Sequence, residues 1–318
     1  MNSIQRHAAR RARRDARRAA NKAERSGDLT LAAAMGADEM HLAAVAASRG
    51  VKWKASVQRY MLDCLRRNLK SSRDVLSGRD TRLGLTHFDV NERGKIRHIS
   101  APRFSERVIQ KSVAANVLVP AITPTLTPGC AANFPGRGTD YALMRLKRQL
   151  AEHFRRHGAE GYIALMDFSN YFGSIDHAAA SRLLEGTLCD PAAIEYLKLQ
   201  VDYEPGPGIG LGSEPNQCVA VALPTPLDHL AEGFPGIEAS GRYMDDSYAI
   251  AMDKATLWAY LAEAEGLLSS LGISLNPRKT QVVKLSCGFT FLKKRFRYSE
   301  TGRIVVTPDK RSLSRERR

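Results

Sequence analysis

Two adjacent aspartates within an apolar segment constrain the fold of this chain more than any other feature. Residues 241–252 read GRYMDDSYAIAM, so Asp245 and Asp246 lie between two runs that favour strands. This pattern predicts two strands joined by a tight turn that carries both acids. Neighbouring carboxylates beside partly buried strands repel each other unless a cation offsets their charge. The segment therefore predicts a cation site at a hairpin turn.

A third aspartate ends a separate apolar run. YIALMDF at 162–168 predicts a strand with Asp167 at its end, followed by a helix to about residue 187. Mg²⁺ prefers a few carboxylates together with substrate phosphates and water. Three such acids suit two-metal phosphoryl transfer, in which one ion activates a hydroxyl and the other neutralises pyrophosphate. A single aspartate at a strand end is more often a turn or helix cap, so the prediction depends on the acids together with their apolar neighbours.

The charge of the chain favours a polyanionic partner. Lys and Arg outnumber Asp and Glu by 48 to 33, which gives a formal net charge of +15. Residues 1–28 form a basic arm with the run RRARRDARRAANKAER. Its arginines recur at helical spacing, so the arm is either a helix on a phosphate backbone or a solubilising tail.

Cysteine usage and hydropathy indicate an intracellular protein. The five cysteines are scattered, with no CxxC pair and no cysteine-histidine cluster at zinc spacing. The sequence shows neither a long apolar run nor a secretory leader. We expect reduced cysteines, a cytoplasmic location and no membrane partner.

The remaining pattern predicts an α+β fold. Helical periodicity covers residues 29–48, 52–70, 105–122, 138–157, 216–231 and 254–271. A basic hairpin closing at Arg93-Gly94 is expected over residues 86–104, and closing strands are expected within VVKLS and FTFLKKRFRYS.

Ordered motifs over residues 86–300 resemble those of reverse transcriptases. YMDD at 243–246 resembles the signature of that family, and ALMDFSNYFGSIDH at 164–177 resembles its first catalytic motif. The other similar blocks are GKIRHISAP with SERVIQKSV (94–113), NFPGRGTDYAL (133–143), GIGLGSEPNQCVAVALPTPLDHL (208–230), LGISLNPRKTQVV (271–283) and GFTFLKKRF (288–296). The set is most similar to bacterial and phage enzymes of diversity-generating retroelements and group II introns.

The resemblance implies a right-hand polymerase with palm and fingers and a short or absent thumb. It divides the chain into the basic arm (1–28), a helical region with fingers (29–160), a palm (161–298) and a basic tail or truncated thumb (299–318). The implied activity is RNA-directed DNA synthesis with Mg²⁺, or alternatively Mn²⁺. The implied partners are an RNA template, a DNA or RNA primer and deoxynucleoside triphosphates, with an accessory protein or structured RNA as a further expectation.

The same resemblance implies roles for individual residues. Asp167, Asp245 and Asp246 would hold the metal ions, with the Phe168 carbonyl as an extra ligand and substrate contact. Lys279 matches a lysine that protonates pyrophosphate, although an ordinary surface lysine explains it nearly as well.

Four further positions match substrate-binding residues. Lys95 and Arg97 match fingers residues that hold the triphosphate. Phe172 matches the side chain that excludes a ribose 2′-hydroxyl, the alternative being a core phenylalanine. Gln217 would support the template or the nucleotide pocket, although Asn216 after Pro215 departs from the usual serine and could alter the local backbone.

Several other functions share part of this pattern. A retron or antiphage defence polymerase fits as a related enzyme, and an inactive palm that only binds nucleic acid fits if the acids do not act. An RNA-templated RNA polymerase is disfavoured by Met244 and Phe172, and a nucleotide cyclase would need neither the template block nor the basic hairpin.

Overall fold

The computed structural model describes residues 3–92, 95–132 and 134–309. The strands are Thr86–Glu92 (β1), Lys95–Ala101 (β2), Tyr162–Met166 (β3), Ile237–Tyr243 (β4), Asp246–Ala251 (β5), Gln281–Lys284 (β6), Phe289–Phe291 (β7), Lys294–Tyr298 (β8) and Ile304–Pro308 (β9). The α-helices are Ser3–Ser26 (α1), Leu31–Ala34 (α2), Ala37–Ser48 (α3), Ala55–Leu62 (α4), Cys64–Leu76 (α5), Phe104–Val113 (α6), Val119–Ile122 (α7), Thr139–His157 (α8), Tyr171–Ser174 (α9), His177–Thr187 (α10), Pro191–Val201 (α11), Glu214–Ala222 (α12), Thr225–Gly233 (α13) and Lys254–Ser270 (α14). The expected α+β composition is confirmed.

A central antiparallel sheet has the strand order β4-β5-β3-β6. Successive side chains of a strand point to opposite faces, and both faces of β3 and β5 are buried. One face packs with α14 and other helices into a core that includes Ala164, Met166, Ala249, Ala251, Leu257 and Leu261. The other face packs against α8 and β7–β8 through Ile163, Leu165, Ile250, Leu146, Phe289 and Phe296. Burial on both faces explains why these strands read as continuous apolar runs.

The predicted basic hairpin is present as β1 and β2. Its antiparallel register runs from Thr86 opposite Ala101 to Glu92 opposite Lys95. The expected closure at Arg93-Gly94 lies outside the described residues. The side chains described for it are exposed or only partly buried, including the apolar Phe88 at 48% and Ile96 at 60% exposure. The hairpin therefore projects from the core.

Two predicted helices are interrupted. The stretch expected at 216–231 is split into α12 and α13 next to Pro224, a residue that lacks a backbone N–H donor. Pro215 lies in the first turn of α12, where that missing donor costs nothing, so its position suits the helix start. The 105–122 segment continues from α6 through a π-helical turn, Ala114–Leu118, into α7.

A second small sheet was predicted only in part. The expected strands β7 and β8 are present, and β9 pairs with β8 from Lys294 opposite Pro308 to Tyr298 opposite Ile304. The sheet thus continues past residue 298, where the sequence suggested a domain boundary. Within the segment expected to be a basic tail or truncated thumb (299–318), residues Ile304–Pro308 form this strand, and residues 310–318 lie outside the described part of the chain.

The basic arm is helical over Ser3–Ser26. Its arginines from Arg10 to Arg18 are exposed, whereas Ser26 is fully buried and the Lys22 Nζ donates to the Glu185 carbonyl at 2.6 Å. The arm is thus joined to the core at its C-terminal end. Among the described residues, the structure contains no helix with both the length and the apolar character needed to cross a membrane.

Candidate functional site

The pairing of β3 with β5 brings two of the predicted acids together. Met166 lies opposite Ser247, so the next residues along the two strands are Asp167 and Asp246. Directly opposite residues of an antiparallel pair lie about 4.5–5.5 Å apart at their Cα atoms. The register therefore positions both carboxylates side by side at the same end of the two central strands.

The third acid comes from the predicted hairpin turn. Tyr243 pairs with Asp246, which leaves Met244 and Asp245 as a two-residue connection between β4 and β5. Met244 has a φ of 57°, a left-handed conformation that such tight hairpins require and that side chains other than glycine adopt rarely. The turn thus presents Asp245 beside Asp246, as the sequence predicted.

Asp167 is held by the loop that follows α14. Its side chain is only 8% exposed, and the Asn276 Nδ2 and Lys279 Nζ donate to its two carboxylate oxygens at 3.2 and 2.7 Å. The Asn276 backbone N–H also donates to the Asp167 carbonyl at 2.7 Å. Lys279 is therefore brought to the acids, while Asn276 is a site residue that sequence reasoning missed.

The acids carry unbalanced negative charge. Burial, reinforced by the charges of Asp245 and Asp167, raises the pKa of Asp246 to about 7, although Lys279 and Lys293 oppose this shift. Burial lowers the pKa of Lys279, but the hydrogen bond and charge of Asp167, with the charges of Asp246 and Asp245, outweigh it and raise that pKa. This donor set fits a hard divalent cation, which favours carboxylate oxygens and would offset the repulsion.

A buried ion pair lies beneath the turn. The Arg242 side chain is fully buried, and its Nε and one terminal nitrogen donate to Asp228 at 2.8 and 2.6 Å. It also donates to the Met244 carbonyl at 3.2 Å and to the Val221 carbonyl at 3.0 Å. Arg242 therefore ties α12 and α13 to the backbone of the acid-bearing turn. Sequence reasoning missed this pair because nothing local links residues 228 and 242.

A cavity of about 840 Å³ opens over the acids. Phe172 is half-buried in its wall, and its carbonyl accepts a hydrogen bond from the Ile209 N–H at 2.8 Å. Phe168 is buried and packs edge-to-face with Tyr171, with ring centroids 5.1 Å apart. The other lining residues include Arg97, His98, Ser100, Asn170, Glu204, Pro207, Leu211, Asn276, Lys279 and Lys293.

The predicted substrate-binding residues are only partly brought together. Arg97 is exposed and lines the cavity with Phe168 and Phe172. The side chain of Lys95 lies outside the described residues. Gln217 lines a different cavity of about 360 Å³ with Lys111 and Glu214. It therefore does not line the cavity that contains the acids.

A basic hairpin tip reaches the same cavity. Leu292 and Lys293 connect β7 to β8, and both have positive φ values, 46° and 62°. Two consecutive positive φ values are typical of the tight hairpin turn whose twist matches that of the strands. This turn places Lys293 against the cavity, a contact that the motif alone did not predict.

A glycine-rich loop crosses the base of the β1–β2 hairpin. The Ser100 N–H donates to the Leu211 carbonyl at 2.9 Å, and the Ser100 hydroxyl donates to Glu204 at 3.0 Å. A Cβ at Gly212 would lie 2.7 Å from the Ser100 carbonyl oxygen, and one at Gly208 would lie 2.8 Å from the Gly173 Cα. Both glycines also have positive φ, so the cavity wall requires residues without side chains there.

Comparisons with known proteins are informative at the level of structure only. No protein-family model matches the sequence, and no curated protein matches it. Solved telomerase structures do match. Apo telomerase from Candida tropicalis aligns with a TM-score of 0.56 and 11% identity over 72% of this chain and 48% of that chain.

Two further telomerase structures give the same result. The C. tropicalis protein truncated from its C-terminal domain aligns with a TM-score of 0.51 and 14% identity, over 71% of this chain and 55% of that one. Candida albicans telomerase in complex with a fragment of telomeric RNA aligns with a TM-score of 0.53 and 11% identity, over 77% of this chain and 51% of that chain. This chain thus spans about half the length of the telomerase chains it matches. Its fold is similar to that of the matched part of these telomerase chains.

Proposed function

We propose that this protein is an RNA-directed DNA polymerase that extends a primer by two-metal phosphoryl transfer. The observation that carries the proposal is the meeting of Asp167, Asp245 and Asp246 at the floor of a large cavity on a telomerase-like fold. In this proposal residues 161–298 are the palm and 29–160 contain the fingers. The basic arm and the exposed hairpin add positive surface for a nucleic acid backbone.

The carboxylates are the proposed metal ligands. Asp167 and Asp245 would be the main ligands, with Asp246 and the Phe168 carbonyl beside them. Mg²⁺ fits this oxygen set best, and Mn²⁺ is a second candidate. When bound, such ions activate the attacking hydroxyl and neutralise the leaving pyrophosphate.

Lys279 is the proposed proton donor to pyrophosphate. Its ammonium is hydrogen-bonded to Asp167 at 2.7 Å, and the charges of the three acids stabilise its protonated form. A general acid must lie within hydrogen-bond reach of the group it protonates, so the same contact that holds Lys279 near the acids supports this role. Arg97 on the exposed hairpin is the proposed contact to the triphosphate, where a guanidinium suits phosphate geometry.

Phe172 is the proposed selector of deoxyribose. Its ring lines the cavity beside the acids, and its backbone is fixed by the Ile209 N–H. A rigid ring at that position would collide with a 2′-hydroxyl, whereas a smaller side chain would leave room for it. The cellular setting that we propose, a phage, prophage or bacterial retroelement, rests on the sequence resemblance, and a retron or defence system is the alternative.

Primer extension tests the activity. An oligo(dT) primer on poly(rA) is extended with dTTP and Mg²⁺ by the wild-type protein, by Asp245→Asn and by the control Glu265→Gln, an exposed acid of α14. We expect extension by the wild type and the control, and a loss of at least about 100-fold in Asp245→Asn. Duplex binding without extension by any of them, with Mn²⁺ also tried, would favour a protein that only binds nucleic acid.

Nucleotide selection tests the role of Phe172 separately. Phe172→Ala should accept UTP about 10- to 100-fold better relative to dTTP than the wild type does, because the obstacle to the hydroxyl is gone. Phe154→Ala, a ring replacement away from this cavity, is the matched control. Unchanged discrimination in Phe172→Ala would assign this ring to the core only.

A further inference from the structure

A cluster of metal-ligating side chains lies at the opposite end of β3 from the acids. His153 and His157 are four residues apart on α8, so both project from one face of the helix. Glu238 of β4 completes the cluster, and the three ligand atoms all lie within 4.8 Å of one another. The sequence contains the signal HFRRH at 153–157, but its third partner is 81 residues further along the chain.

A bulge in β4 directs Glu238 toward the histidines. The β4–β5 register shifts between Ile237 and Ala239, so Glu238 is the additional residue at that point. Bulges of this kind change the direction of one side chain in an otherwise regular ladder. The carboxylate contacts both rings, since one oxygen lies 2.9 Å from the His153 Nδ1 and the other 3.0 Å from the His157 Nε2.

The surroundings of His153 leave a place for a cation. The ring is 1% exposed, and its Nε2 lies 2.8 Å from the Glu160 carbonyl oxygen. A carbonyl only accepts hydrogen bonds, so Nε2 is the donor in this contact. Nδ1 faces the Glu238 carboxylate at 2.9 Å, and an ionised carboxylate only accepts hydrogen bonds. A proton or a metal ion must lie between them.

The contacts around His153 match those of a bound metal ligand. Histidines that ligate metals commonly donate their other ring N–H to a backbone carbonyl, which fixes the orientation of the ring. Gly161 allows this position, because a Cβ there would lie 2.7 Å from the His153 Nε2. One feature opposes a cation, since an Arg156 nitrogen is 3.5 Å from Glu238, but that side chain is 55% exposed and can turn into solvent.

We propose that His153, His157 and Glu238 bind one Zn²⁺ ion that clamps α8 to β4. Two imidazoles and one carboxylate form a ligand set that Zn²⁺ accepts, with bonds of about 2.0–2.2 Å and a fourth position for water. The present separations of 2.9 and 3.0 Å need only a small expansion to admit the ion. The proposal does not depend on polymerase activity.

Zinc titration by calorimetry tests the site directly. The tag-free full-length protein is stripped with chelator and titrated in excess Mg²⁺, which occupies hard carboxylate sites but competes weakly for imidazole. The wild type should bind one Zn²⁺ per chain. His157→Ala and Glu238→Gln should each weaken binding at least about tenfold. His229→Ala, an exposed histidine of α13, should bind as the wild type does.

A thermal and spectroscopic readout separates ligation from misfolding. Zn²⁺ should raise the melting temperature of the wild type and of His229→Ala but not of Glu238→Gln, whose fold is checked by circular dichroism. Co²⁺ should give the wild type the absorption of a tetrahedral site without a thiolate band. Absence of Zn²⁺ binding by the wild type, or equal binding by all variants, would reduce the cluster to an ion-paired contact and overturn the proposal.

Discussion

Two groups of charged side chains lie on either side of the β4–β5 turn, and they differ in how completely neighbouring groups offset their charge. Beneath the turn, Arg242 and Asp228 are both buried, and the guanidinium has carboxylate and carbonyl partners on several sides. At the cavity, Asp167, Asp245 and Asp246 have Lys279 and Lys293 nearby, yet the pKa of Asp246 still rises to about 7. One group is balanced and the other is not.

This difference distinguishes a structural ion pair from a group of carboxylates that can still bind a cation. A buried ion pair is stable only when geometry and hydrogen bonds offset the loss of water, as they do around Arg242. Clustered carboxylates without that compensation destabilise the fold unless a ligand supplies the missing charge. The excess of negative charge at the cavity is therefore better evidence for a cation site than the presence of the acids alone.

Breaking the balanced pair should have the largest effect on stability. Arg242→Met leaves Asp228 buried without its partner, so the free energy of unfolding should fall by about 3–5 kcal/mol. Urea denaturation measures this loss. The double variant Arg242→Met with Asp228→Leu should recover part of it, because the uncompensated carboxylate is removed. A loss below about 1 kcal/mol in the single variant would show that the pair is not the main support of the turn.

Replacing Asp246, one of the acids at the cavity, should raise the stability of the protein at neutral pH rather than lower it. The Asp246 carboxyl ionises near the ordinary aspartate pKa of 3.8 when the chain is unfolded and near 7 when it is folded. In chelator the wild type should therefore lose stability as pH rises from about 4 to about 7. At about 1.4 kcal/mol per pKa unit the loss is at most about 4 kcal/mol.

Asp246→Asn should lack this loss, and Mg²⁺ should reverse it in the wild type. Denaturation at a series of pH values measures the effect, with Glu265→Gln as the control. Parallel pH profiles for the wild type and Asp246→Asn would contradict the electrostatic explanation of the cavity.

Removing the lysine that contacts the acids at the cavity should give a smaller loss of stability. Lys279→Met removes a hydrogen bond to Asp167, and because the Lys279 side chain is 60% exposed we expect a loss of about 1 kcal/mol in chelator. Mg²⁺ should diminish the difference, since it supplies the same charge. The neighbouring exposed Arg278→Met serves as control. An equal loss in both variants would mean that Lys279 acts only through general surface charge.

A partly exposed pair should have the smallest effect. Lys111 lies 2.7 Å from Glu214, which is as close as the buried contacts, but both side chains reach solvent. Lys111→Met should change the free energy of unfolding by less than about 1 kcal/mol. Denaturation under the conditions used for Arg242→Met gives the comparison directly. A change of similar size in the two variants would mean that distance rather than burial determines the contribution of an ion pair here.

The sequence predicted the acids better than their surroundings. A strand end and a tight turn are local features, so Asp167, Asp245 and Asp246 could be placed from the apolar runs beside them. Contacts between distant segments have no such local signal. Asn276 on Asp167 and Lys293 at the cavity depend on how a loop and a small sheet pack, which periodicity does not reveal.

Local patterns also failed where one residue changes the geometry. Pro224 divides a stretch with continuous helical periodicity, and the bulge at Glu238 turns one side chain out of the regular alternation. β9 was missed because its short sequence lies in the segment that was interpreted only as a basic tail or truncated thumb. These errors share a cause, since tertiary pairing selected among conformations that the local sequence permitted.

The contacts of Ser100 have a mechanical consequence. Its N–H and hydroxyl join the β1–β2 hairpin to Leu211 and Glu204, and Gly212 lies against its carbonyl. The hairpin and the glycine-rich loop are thus joined through the contacts of Ser100. Any swing of the hairpin toward the acids would carry the loop with it, so the cavity would change its width and its depth in a single motion.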